Sequence, residues 1–93
     1  MTELTNAEIR GLKARGQLLE SALKVGKDGL TPQFLTALDE MLKHQDLLKV
    51  KFDHFKEQKH ELAPQLAEKS GSHLVMQVGN VVVLHRPKPP SAD

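Results

Sequence analysis

A chain of 93 residues has area enough to bury one core and little more, and with no Trp or Tyr and only three Phe that core must be aliphatic, built from Leu, Val and Ala. The absence of cysteine excludes disulfides, thiolate zinc centres and cysteine nucleophiles. Thirteen basic against twelve acidic residues give a formal net charge of +1, so any nucleic-acid surface must be a local patch and not a polyanion-coating tail.

The opening Met1-Thr2-Glu3-Leu4 has no basic segment leading into an apolar run, and no stretch approaches the roughly 20 apolar residues of a membrane span, so a cytoplasmic protein without a membrane partner is expected. Thr5-Asn6-Ala7-Glu8 follows the capping-box pattern, with Leu4 and Ile9 placed as a hydrophobic staple, and predicts a helix that stops at Gly16. Its apolar stripe is thin (Ile9, Leu12), which suits a helix covering the edge of a core; Arg10 and Lys13 lie on one flank. A short strand is expected near Ala22 to Val25, running directly into Gly26.

Thr31-Pro32 supplies a hydroxyl N-cap followed by proline at the first helical position, where its missing N–H costs nothing. Phe34, Leu35, Leu38, Met41 and Leu42 then form one continuous apolar face, so the second helix runs to about His44. From Leu47 to Phe52 the pattern alternates, with Leu48, Val50 and Phe52 on the core face and Lys49 and Lys51 on the other. Phe55, Lys59, Leu62, Ala63, Leu66 and Ala67 keep helical spacing up to Gly71, which suits the residue that ends a helix. Pro64 interrupts this third helix, and predicts either a kink or an ordered part that begins nearer the proline.

Leu74 to Val78 and Val81 to His85, joined by Gly79-Asn80, read as a hairpin. Residues 1–86 therefore make one domain, and the proline-rich residues 87–93 a flexible tail. The element order is α-β-α-β-α-β-β, an α/β fold in which helices cover a mixed four-stranded sheet, the first three strands parallel and the last antiparallel.

In that fold Gly26-Lys27-Asp28-Gly29 lies at the carboxyl end of the first strand and just before a helix N-terminus, where unpaired amides and two glycines let a sugar-phosphate backbone come close. Asp28 would repel phosphate and fits a role in turning the loop. The tetrapeptide alone equally fits a plain connector. Lys24, Lys49 and Lys51, on the strand face away from the core, with Arg10 and Lys13 nearby, together suit a phosphate track, although a lysine face also serves mere solubility. No Gly-x4-Gly-Lys-Ser/Thr occurs, which favours binding over nucleotide hydrolysis. Few rings exist to stack unpaired bases, which favours backbone and shape recognition.

Gly26-Lys27-Asp28-Gly29-Leu30-Thr31, Leu48-Lys49-Val50-Lys51, Gln77-Val78-Gly79 and Val83-Leu84-His85-Arg86-Pro87, in this order and spacing, make the chain resemble the CRM domain (chloroplast RNA splicing and ribosome maturation) in its stand-alone bacterial YhbY-type form. The resemblance spans about residues 5 to 87. It implies an RNA-binding domain similar in fold to the C-terminal domain of translation initiation factor 3, with members associated with precursors of the large ribosomal subunit. By that resemblance Gly26, Lys27, Asp28 and Gly29 become the RNA-contacting loop, and Arg86 the closing arginine of the family's Arg-Pro. His85 stands where an aromatic often precedes that arginine, and Pro64 also departs from the family's pattern.

An enzyme is not expected: His44, His54, His60, His73 and His85 show neither His-Glu-x-x-His spacing nor a cysteine partner, so no metal or other cofactor is implied. The rival to RNA binding is a protein-interaction adaptor using Pro87-Lys88-Pro89-Pro90 as a polyproline segment. A monomer is the expected state.

Overall fold

A computed structural model of the chain describes residues 5–86. The tail at 87–93 and the Leu4 half of the staple lie outside the described residues. The elements in order are α1 (Asn6–Leu18), β1 (Leu23–Val25), α2 (Pro32–His44), β2 (Leu47–Phe52), a 3-10 turn (Lys56–Gln58), α3 (Lys59–Ser70), β3 (His73–Val78) and β4 (Val81–His85).

The strands form one sheet in the order β1-β2-β4-β3. β1 is parallel to β2, and β4 is antiparallel to both β2 and β3. The first three strands thus share one direction, as expected. The hairpin's returning strand takes the place between β2 and β3, so the crossover through α3 spans a gap that β4 fills.

Strand alternation sends Leu48, Val50, Phe52, Val82 and Leu84 to one face, where Leu38 and Leu42 of α2 and Ala63, Leu66 and Ala67 of α3 bury them. The other face is smaller: Leu47, Val75 and Val83 pack under Leu12 of α1. Burying a Leu or Val side chain is worth about 1.5–3 kcal/mol, so the α2/α3 layer, with the greater number of buried side chains, carries most of the stabilisation.

The sequence marks the helix starts well. Thr5 Oγ1 accepts from Glu8 N at 3.1 Å while Glu8 Oε1 accepts from Thr5 N at 3.0 Å, the complete capping box. Thr31 Oγ1 accepts from Phe34 N at 3.0 Å with Pro32 next to it. Gly16 corrects the expectation of a stop. α1 continues to Leu18, and Gly16 is buried where an added Cβ would stand 3.1 Å from both Val83 methyls. Its missing side chain therefore lets the helix approach the sheet closely.

Pro64 also departs from one expected alternative. α3 begins at Lys59, well ahead of the proline, and runs to Ser70. The amide that Pro64 lacks would have bonded the His60 carbonyl in the first turn, so a single hydrogen bond near the helix start is lost. Gly71, at φ +65°, ends the helix as its place in the sequence predicts.

Candidate nucleic-acid interface

The carboxyl ends of the parallel pair β1 and β2 gather three connections. Gly26 to Gly29 leave β1 in a tight turn closed by Gly29 N donating to Gly26 O at 3.1 Å, with Lys27 and Asp28 exposed at its tip. The segment after β2 folds against it: Asp53 N and His54 N both donate to the Val25 carbonyl at 3.2 Å. The Gly79-Asn80 turn joins them, as Phe52 N donates to Asn80 O at 2.7 Å and Lys59 Nζ to Asn80 Oδ1 at 3.2 Å. In open α/β sheets this end is where ligands bind.

The two glycines of the loop have different reasons. Gly29 has φ +74°, and a Cβ there would meet the Phe55 ring at 3.4 Å, so the fold itself requires it. Gly26 has nothing within 4 Å of an added Cβ and no positive φ. Packing inside the domain leaves it unexplained; close approach from outside explains it.

The start of α2 offers less than the sequence suggests. Pro32 has no N–H and the Phe34 amide is taken by Thr31, which leaves Gln33 as the free first-turn amide. The lysines therefore supply most of the positive field. Asp28 makes no side-chain hydrogen bond among the described residues; its place is a central position of the turn.

Register aligns Lys24, Lys51, Val81 and Val78 in one row across the four strands, on the α1 face. This row lies beyond the helix: Lys24 and Lys51 are exposed, and Val78 is 62% exposed. The next row inward is covered, since Val83 and Met76 sit under Gly16. Lys49 belongs to the covered part. Its Nζ donates to the Leu19 carbonyl at 3.0 Å, tying the end of α1 to β2, and its stem lines a groove of about 220 Å³ with Gln17, Met76, Val78 and Val81.

The expectation of a bare lysine face is corrected accordingly. α1 covers the row of Val83 and Met76, and Lys49 is partly committed to the fold. Lys13 shares a flank of α1 with Gln17 one turn on, both exposed, and Arg10 is exposed on the same side of the helix.

Charge pairing is one-sided. Among the described residues the ion pairs are Arg15–Asp46 at 2.9 Å, Lys43 with Glu40 and Asp39 at 3.0 and 3.6 Å, and Arg86–Asp39 at 2.8 Å, all at the far end of the sheet, where β2 begins and β4 ends. Lys24, Lys27, Lys51 and Lys56 have no such partner among the described residues. Arg86 does not join this surface. Its guanidinium bonds Asp39 Oδ1, the Asp39 carbonyl and the Ser70 carbonyl at 2.8, 2.8 and 3.0 Å, holding β4 to α2 and α3.

The arrangement defines a small α/β domain with exposed lysines, without ion-pair partners among the described residues, around the loops at one sheet end. The chain belongs to the CRS1/YhbY (CRM) domain family, whose model matches residues 4–86. It is 35% identical over 89 residues to a Methanocaldococcus jannaschii protein, covering 92% of this chain and 66% of that one, and 31% identical over 84 residues to a Bacillus subtilis protein, covering 89% and 88%. Both relatives bear the name probable RNA-binding protein. The solution structure of a hypothetical protein from Staphylococcus aureus superposes with a TM-score of 0.80 at 27% identity, covering 96% of this chain and 94% of that one.

Proposed function

We propose that the chain is an RNA-binding domain, with no catalysis of its own, that binds ribosomal RNA in precursors of the large subunit and assists their assembly in the cytoplasm as a monomer. The names of its relatives support RNA as the ligand class. The observation that carries the site is the segregation of ion pairing. Carboxylates pair with Arg15, Lys43 and Arg86 at one end, while among the described residues Lys24, Lys27 and Lys51 have no ion-pair partner and stand beside a Gly26 whose missing Cβ meets nothing within 4 Å.

Lysines that neutralise phosphates release the counterions condensed on the RNA, a gain in affinity that falls with salt. Gly26, Lys27 and Gly29 hold one backbone segment, Asp28 shapes the turn, and Lys24 and Lys51 extend the track over the open row. Lys49, Arg10 and Lys13 border it. Arg86 is left out, because it stands at the opposite end of the sheet and three of its N–H donors are used within the domain.

The test is a salt titration of binding to a large-subunit ribosomal RNA fragment, wild type against Lys27→Ala and Lys24→Ala/Lys51→Ala. Each lost phosphate contact reduces the log–log salt slope by about 0.7–0.9. Unchanged affinity and slope in both variants would remove this surface from the interface.

A further inference from the structure

Phe55 is the exposed phenylalanine of the chain. Phe52 is fully buried and Phe34 packs against the core, whereas Phe55 is 38% exposed. It is also the one non-glycine residue with positive φ among the described residues, at +59°. A bulky L-residue pays for that conformation, and left-handed positions normally fall to Gly or Asn. Burial does not explain the cost, because the ring stays in part outside the core.

Its position is informative. Phe55 follows Asp53 and His54, whose amides are fastened to the Val25 carbonyl, and precedes the 3-10 turn that starts the α3 segment. The ring edge lies 3.4–3.7 Å from where a Cβ on Gly29 would be, so it covers the last residue of the Gly26 to Gly29 turn. An apolar plane is thus held beside the turn that carries Lys27, with Lys56 next in the chain.

We propose that Phe55 is a stacking platform for an unpaired nucleobase of the RNA whose backbone the Gly26–Gly29 turn holds; this rests on the RNA-binding reading of that turn. An aromatic face beside the exposed Lys27 amine matches the two halves of a nucleotide, the base on the ring and its phosphate on the amine. A base paired inside a duplex keeps its faces on its neighbours and is not offered to the ring. The site therefore prefers RNA with an unpaired nucleotide at this point, a selectivity that phosphate contacts alone do not confer. The sequence hides this role, since Phe55 falls in register with the apolar positions of α3.

The chain contains no Trp or Tyr, so a Phe55→Trp variant carries a single indole reporter. Its emission is measured during titration with a single-stranded ribosomal RNA segment and with the same segment annealed to its complement. Binding of both RNAs by wild type and Phe55→Leu is compared in parallel, with urea unfolding as a control for folding. Expected are quenching by the single strand and not by the duplex, and a loss of about tenfold in single-strand affinity for Phe55→Leu with duplex affinity nearly unchanged. Emission that does not move at saturating single strand, or an equal loss on both RNAs, overturns the stacking role while leaving the phosphate surface standing. If wild type binds neither RNA, the RNA-binding reading itself fails and the inference goes with it. Should Phe55→Trp fail to fold, the single-strand to duplex ratio of Phe55→Leu decides.

Discussion

Arg86 closes the far end of the domain by donating to both the carboxylate and the carbonyl oxygen of Asp39, so that one guanidinium ties the last strand to the second helix. A third bond reaches the Ser70 carbonyl at the end of α3. The arginine that the resemblance places in the family's closing Arg-Pro is thus a fastening between three elements, at the opposite end of the sheet from the Gly26 to Gly29 turn.

Replacing Arg86 with Ala leaves the Ser70 and Asp39 carbonyls without these donors and the Asp39 carboxylate without its closest cation. A loss of about 2 kcal/mol in unfolding free energy is expected, read from urea denaturation. Arg86→Lys recovers only part of it, because an ammonium cannot reproduce the planar fork. The salt slope of RNA binding is expected to stay at the wild-type value. A stable Arg86→Ala variant with a flattened slope would return the residue to the RNA surface.

Gly26 and Gly29 separate fold from binding within one tetrapeptide. Gly29→Ala forces a Cβ into the left-handed region, costing about 1–2 kcal/mol of stability. Gly26→Ala meets open space and ordinary φ, so stability is expected to change by less than about 0.5 kcal/mol, while RNA affinity falls about tenfold as the new methyl holds the backbone off. Thermal melts and binding isotherms on the two single variants check the contrast. Equal effects of both on stability would show that Gly26 too serves the fold.

Much of the architecture is legible in the sequence because it is locally encoded. Thr31-Pro32 starts α2, the alternation from Leu47 to Phe52 assigns faces, and Gly79-Asn80 turns the hairpin. What is not legible depends on partners remote in the chain. Nothing around Val81 to His85 says that this strand lies between β2 and β3, because strand order is decided by which edges the helices leave open. Gly16 reads as a helix stop, and only the Val83 methyls reveal it as a point of close approach. Lys49 and Lys51 are equivalent by alternation, yet α1 ends over one and not over the other. The proposed site is legible as a loop with basic neighbours. The ring proposed beside it is not, since the backbone conformation of Phe55 has no signature in residue type.

Acid should loosen the far end first. The Arg15 side-chain hydrogen bond, partly opposed by burial, holds the Asp46 carboxyl below its ordinary value of 3.8, and Arg86 does the same for Asp39. A carboxyl with a depressed folded-state pKa contributes stability that is complete above its unfolded value and lost as pH falls through the folded one, so these contributions disappear below about pH 3.8. Asp46→Asn removes one of them but keeps the Asp46 carbonyl that accepts from Arg86 N at 2.9 Å and faces His85 Nδ1 at 3.0 Å. Because the Arg15 and Asp46 side chains are 55% and 37% exposed, solvent screening limits the pair to at most about 1 kcal/mol. Urea unfolding of wild type and Asp46→Asn at about pH 7 and about pH 2.5 should therefore show a gap of that order at neutrality that narrows in acid. A gap that persists unchanged at the lower pH would mean that Asp46 stabilises the domain through its shape and not its charge.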